Sequence, residues 1–171
     1  LYAVFAELMR NHLTPRGRLG AALPNGIATG NTTRFFFQDL VHKYSLVSIL
    51  SFFEIREIFL GTDSREPFCL LTAGSGACRV SEEAEFVFHA KSVEDVFDPA
   101  RRFRLTSDDF ALLKPNTQTC PVFGSERDAE LTKAVYRRVP ILDREGRQPV
   151  SPWGILIRRV FDMNKQDVLA V

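Results

Sequence analysis

Four apolar runs, each too short to be a buried helix, set the outline of this chain. Leu19 to Leu23 lies between Gly17 and Pro24, and Phe68 to Thr72 follows Pro67. Ser45 to Phe53 and Ala84 to Ala90 are built around leucine, valine, isoleucine and phenylalanine. Runs of this length and chemistry predict strands. Two helical patterns are interleaved with them. Tyr2, Phe5, Leu8, Met9 and Leu13 recur at three- and four-residue intervals, which predicts a helix with those side chains inward, ended by Thr14, Pro15 and Gly17. Asn31 or Thr32 is placed to cap a second helix that turns Phe36, Phe37, Leu40 and Val41 inward and stops near Lys43. Strands alternating with helices, then strands in succession, predict an α/β layer with a hairpin-like edge.

Beyond Ala90, where this α/β core is expected to end, three helix starts have the capping-box form: Ser92 with Asp95, Thr106 with Asp109, and Ser125 with Asp128. The third is expected to run to Arg138, carry Leu131, Val135, Tyr136 and Val139 inward, and stop at Pro140. A further strand is expected from Trp153 to Phe161. Between the second and third strands, Ile58, Phe59 and Leu60 stand out as apolar residues in a charged loop.

At 171 residues the chain suits one domain with a sizeable core, and its net charge of +1 declares neither a nucleic-acid nor a membrane partner. The charge is nevertheless uneven: both ends are basic and residues 51–100 are acidic. No leader pattern and no stretch of about 18 apolar residues is present, so a cytoplasmic protein is expected. Cys69, Cys78 and Cys120 lack CxxC spacing, which points to inert thiols and no metal site.

Enzyme signatures are mostly missing. No GxxxxGKS/T loop, HExxH pair or GxSxG elbow occurs. His12, His42 and His89 are scattered, and His12 reads as a packed or capping residue. Gly74-Ser75-Gly76 follows a strand but opens no convincing helix, so a turn is expected there, not a dinucleotide-binding loop.

The order of the pieces says more than any one motif. The helix LYAVFAELM, the turn and strand PRGRLGAALP, the loop and helix NGIATGNTTRFFFQDLV and the strands LVSILSFFEI and FCLLT resemble the C-terminal half of amino-group DNA methyltransferases. The resemblance is closest to the adenine-N6 enzymes of restriction–modification (type IIG-like) and phage-defence systems, and LLKPNTQTCPVFGSERDAELTKAVYRRVPIL is similar to the linker after their methylase core.

That resemblance implies the C-terminal half of a Rossmann-like sheet, in the order strand, helix, strand, antiparallel strand, over residues 1–90. A mixed helical linker and the start of a target-recognition region would occupy residues 91–171. It implies S-adenosylmethionine as cofactor and double-stranded DNA with a flipped adenine as partner. Phe5 is then the aromatic residue beside the cofactor adenine, or else a core residue. Phe59 matches the position whose ring stacks on the extruded base, or else folds into the core; Leu60 stands where many relatives carry proline.

The Asn/Asp/Ser-Pro-Pro-Tyr/Phe motif that polarises the adenine amino group is missing, as are the glycine-rich cofactor turn and an acidic ribose-holding residue before the first helix. The chain, which starts at Leu1, is therefore expected to be a piece lacking the N-terminal half of the methyltransferase, inactive alone and prone to associate. Two other readings stay open. Arg101, Arg102 and Arg104, the pair Arg137 and Arg138, and the pair Arg158 and Arg159 either contact DNA phosphates, as in a non-catalytic DNA-binding or specificity module, or form a solvated surface. An α/β protein-interaction subunit is the third.

Overall fold

The computed structural model describes residues 1–53, 67–142 and 151–155. The chain divides into two compact units, Leu1–Val139 and Pro140–Val171.

The first unit is an α/β layer. Its elements run α1 (Tyr2–Asn11), β1 (Arg18–Pro24), α2 (Gly26–Thr29), a 3-10 turn (Asn31–Thr33), α3 (Arg34–His42), β2 (Leu46–Phe52), β3 (Phe68–Gly74), β4 (Glu83–Ala90), α4 (Glu94–Phe97), β5 (Phe103–Thr106), α5 (Ser107–Leu113) and α6 (Glu126–Arg138). The strands form one mixed sheet in the order β1-β3-β2-β4-β5. β3 is antiparallel to both β1 and β2, β2 and β4 are parallel, and β5 returns antiparallel to β4. All four expected strands of this unit are present, each within about two residues of its expected ends.

The α/β core does not end at Ala90. β5 joins the sheet through Phe103 and Leu105, which alternate inward while Arg104 points out. At four residues it is too short to stand out beside three arginines in sequence. Phe110 and Leu113 of α5 and Ala129 of α6 complete the same core.

That core lies on one face of the sheet. Leu23, Ile49, Cys69, Leu71, Phe86, Phe88, Phe103 and Leu105 meet Ile27, Phe37, Leu40, Val41 and Phe110. The other face carries a smaller buried cluster of Phe52, Val87, Ala90 and Val96, while Gly20, Ala22 and Pro24 on β1 are exposed. Across it the register sets out three rows: Pro24, Phe68, Phe52, Ala90; then Ala22, Leu70, Leu50, Val87; then Gly20, Thr72, Ser48, Glu85. Val96 of α4 covers the Phe52 end, whereas Leu70 remains 39% exposed. Among the described residues no helix is long and apolar enough to cross a membrane.

Two helices face inward with side chains other than those their apolar spacing predicts. In α1 the buried residues are Ala6 and Arg10, while Phe5, Leu8 and Met9 are exposed. Arg10 decides this: its guanidinium donates to the Gly74 carbonyl at 3.3 Å, to Ser45 Oγ at 3.1 Å and to Asp39, and those bonds hold that face of the helix against β3 and α3. Leu1, Val4, Phe5 and Leu8 then form a second stripe, at the i, i+3, i+4, i+7 spacing, with nothing described on it.

In α6 the inward residues are Ala129 and Lys133, and Leu131, Val135, Tyr136 and Val139 are exposed. The buried carboxylate of Asp109 requires a cation, and Lys133 Nζ reaches it at 3.5 Å and Glu130 at 2.5 Å.

The caps also differ. The Thr106–Asp109 box is complete, with Thr106 Oγ1 accepting from the Asp109 N–H and Asp109 Oδ2 from the Thr106 N–H. Ser125 Oγ accepts from the Asp128 N–H. Before α4, Asp95 Oδ2 accepts from the Lys91 and Ser92 N–H groups, but Val93 stands at the N-cap in place of Ser92. Neither Asn31 nor Thr32 caps α3; the 3-10 turn comes first and Thr33 occupies that place.

In the second unit, residues 151–155 form a turn and not the start of the strand expected at Trp153; Ser151 Oγ donates to the Leu142 carbonyl and Trp153 Nε1 to the Pro140 carbonyl. The rest of that expected strand lies outside the described residues.

Candidate functional site

In an open α/β sheet, ligands gather at the carboxyl ends of the parallel strands, where backbone N–H groups and loops converge. Here β1, β2 and β4 run the same way, so their exits define one rim. β1 leaves at Pro24 into Asn25 and Gly26, β2 at Phe52 into Phe53, and β4 at His89 and Ala90. β3 enters at the same rim, with Phe68 stacked on Phe52 at 5.2 Å and 8°.

Asn25 is tied down by its backbone, whose N–H donates to the Pro67 carbonyl at 3.0 Å. Its Oδ1 is buried and has no hydrogen-bond partner among the described residues. An orphan acceptor costs about 1–3 kcal/mol, so the β1 exit is held in this arrangement at a real penalty. Beside it, any Cβ at Gly26 would lie 2.9 Å from the Tyr2 hydroxyl, so glycine allows α1 and the β1 exit to approach this closely. Asn25 carried no sequence signal, because the exposure of one side-chain oxygen depends on tertiary neighbours.

Phe5 is 54% exposed on the uncovered stripe of α1, so it is not a core residue. Phe59, with Ile58 and Leu60, lies outside the described residues, as do Arg158 and Arg159. Arg137 and Arg138 occupy the last turn of α6, are exposed, and form no ion pair among the described residues. Cations there also offset the helix dipole.

The other basic group is neutralised. Arg102 pairs with Glu85, Arg104 lies 3.7 Å from Glu85, and Arg101 faces Asp95 at 3.9 Å and Asp98 at 3.7 Å. These arginines hold β4, β5 and α4 together instead of forming a free basic patch.

A cleft of about 600 Å³ lies elsewhere. Ser48, Glu82, Glu83, Glu85 and Arg104 line it at the amino ends of β2 and β4, opposite the rim just described. Its lining mixes carboxylates with Arg104, and Glu85 and Glu82 are already paired with Arg102 and Arg79.

Gly74 to Gly76 is a turn. Gly74 N–H donates to the Ser45 carbonyl at 2.7 Å, Ser75 Oγ to the Pro15 carbonyl at 2.9 Å, and Gly76 adopts φ 85° against the Arg10 guanidinium. No helix follows, so a pyrophosphate finds no helix N-terminus there. His12 Nδ1–H donates to the Leu8 carbonyl at 2.8 Å, a local capping bond. His42 Nε2 lies 3.1 Å from Gln118 Oε1.

No group of three or more metal-ligating side chains occurs among the described residues. Burial pushes the Cys69 thiol up to about 12, and burial together with the neighbouring Cys69 raises Cys120. Only Cys78 is exposed. A thiol-reactive chromophore is therefore expected to titrate one cysteine in the folded chain and all three in denaturant. Fast labelling of a second thiol under native conditions would contradict this burial.

No protein-family model matches the chain, and no curated protein matches it.

Proposed function

We propose that the chain is the C-terminal part of a cytoplasmic S-adenosylmethionine-dependent DNA adenine-N6 methyltransferase of the restriction–modification, type IIG-like class, joined to the start of its target-recognition region. The observation that carries this reading is the succession β1, α3, β2, β3, with β3 antiparallel and inserted between β1 and β2. It follows the strand, helix, strand, antiparallel strand order that the sequence resemblance implies.

Three further features suit a domain completed by another segment. Among the described residues, β1 has a free edge along Arg18–Pro24, α1 carries an uncovered apolar stripe, and Asn25 Oδ1 lacks a donor. A strand laid on β1, with its helix against Leu1, Val4, Phe5 and Leu8, would meet the first two.

In the complete protein a methyl group passes from the sulfonium of the cofactor to adenine N6 of DNA after the base is extruded. Phe59 is the ring that holds the base by stacking. The described residues do not form a cofactor cradle by themselves, because Phe5 is a bare ring and the chain has neither the glycine-rich turn nor the ribose-holding carboxylate. No cofactor step is therefore assigned to them.

The isolated chain is expected to bind S-adenosylmethionine negligibly by calorimetry and to transfer no labelled methyl group to duplex DNA. The coding sequence immediately upstream should contain an in-frame glycine-rich turn and an Asn-Pro-Pro-Tyr motif, and fusing it to the chain should restore transfer. Transfer by the isolated chain, or an upstream region without those motifs, would overturn the reading.

A non-catalytic DNA-binding module is the second reading, favoured by the unpaired Arg137 and Arg138. It requires duplex binding that weakens with salt, is indifferent to the cofactor, and loses about one unit of salt slope per arginine removed.

A further inference from the structure

The pairing of β2 with β4 is irregular at the carboxyl rim. Leu50 faces Val87 and Phe52 faces Ala90, so β4 spends three steps where β2 spends two. Within that interval His89 adopts φ 60°, a left-handed conformation that disfavours most side chains. The bulge leaves Phe88 in the main core and Val87 and Ala90 on the opposite face, and it turns His89 out to solvent. Bulges of this kind re-aim side chains and are common beside functional sites.

What His89 meets is Phe53. The two rings lie 4.8 Å apart and within 14° of parallel. Phe53 is 37% exposed, and its N–H donates to the Ala90 carbonyl at 2.9 Å, so both rings are fixed by the backbone of the same strand exit. The Phe52–Phe68 stack lies beneath this exit. The result is a solvent-facing pair of stacked rings, with His89 held at a left-handed φ.

We infer that Phe53 and His89 form a stacking platform for an unpaired DNA base; the inference rests on the DNA reading above. Phosphate is a poor candidate for this spot. Among the described residues Arg101 donates to the His89 carbonyl at 3.5 Å, and it already faces Asp95 and Asp98. A base needs only a flat π surface, and aromatic stacking accepts any of the four. The adenine of a small cofactor is also disfavoured, since such ligands are enclosed on most sides and this pair sits on an outer rim.

The test uses the full 171-residue chain and a fluorescein-labelled single-stranded oligodeoxyadenylate of about ten nucleotides. In His89→Gly the ring is lost while the left-handed backbone is relieved, so the melting temperature should hold or rise. Affinity should fall about tenfold, and likewise in Phe53→Leu. An abasic strand of the same length should bind the parent chain as weakly as the intact strand binds His89→Gly. Unchanged affinity in both variants overturns the platform. The DNA reading is tested apart from it: restored methyl transfer in the fused protein, with both variants binding normally, removes the platform and keeps the reading.

Discussion

Truncating Phe86 to alanine is expected to destabilise the first unit by about 3–5 kcal/mol, the range for removing a fully buried phenylalanine and leaving a cavity. Phe86 is wholly buried on β4, where it faces Ile49 across β2 and Phe103 across β5. Its ring lies 5.6 Å from Phe103 and 5.9 Å from Phe110, the latter edge-on at 70°. Removing it takes the shared neighbour from a cluster that joins the last two strands to α5. Domains of this size have only about 5–15 kcal/mol in total, so the urea midpoint should fall sharply. Phe35→Ala is the control: that ring is exposed and the midpoint should move by less than about 0.5 kcal/mol equivalent. Equal midpoints for the two variants would show that Phe86 is not at the centre of the core.

Arg10→Met is expected to be nearly as damaging, at about 3 kcal/mol, since it keeps the apolar stem but leaves buried partners unmatched. The Gly74 carbonyl, Ser45 Oγ and Asp39 all lose a donor; Asp39 retains Lys43 at 2.9 Å, which places the loss at the low end of the range for broken buried pairs. The same cluster predicts a pH dependence. Partial burial pulls the Asp39 carboxyl up, but hydrogen bonds and charge from Arg10 and Lys43 outweigh it and hold the group below the usual carboxylate range. A carboxylate lowered by folding stabilises the folded state at neutral pH, and that contribution is lost as pH falls through the lowered value. Stability measured by urea from about pH 7 down to about pH 3 should therefore drop at the acid end, and Asp39→Asn should flatten that limb. The change is modest because Asp39 is 40% exposed and screened by water. Identical acid limbs in the two proteins would remove Asp39 from the linkage.

The strands were legible because each apolar run is bounded by glycine, proline or charge, as Leu19 to Leu23 is by Gly17 and Pro24. The helices were legible in extent but not in rotation. Arg10 and Lys133 point inward because each has carboxylates or carbonyls waiting for it, and apolar spacing carries no trace of partners 29 or more residues away in α1. For the same reason the sequence left Arg101, Arg102 and Arg104 between phosphate contacts and a solvated surface, and Glu85, Asp95 and Asp98 neutralise them. At the rim, Phe5 could be named from sequence, whereas Asn25 and His89 could not. Their distinction is an unsatisfied oxygen and a backbone angle, and both arise only once β1, β3 and β4 are paired.

The three rows on the face of the sheet opposite the main core give that face a direction. They run from Phe68 and Phe52, through Leu70 and Leu50, to Thr72, Ser48 and Glu85. A helix laid across β1, β3 and β2 with its apolar end toward Phe52 would bury grease on grease and leave Thr72 and Ser48 beneath its polar end. The same helix reversed would press its apolar end onto Thr72 and Ser48 and strand its polar end over Phe68 and Phe52, at the expense of desolvating hydroxyls. Whatever covers this face is therefore told which way round to lie, by a polarity written along three adjacent strands.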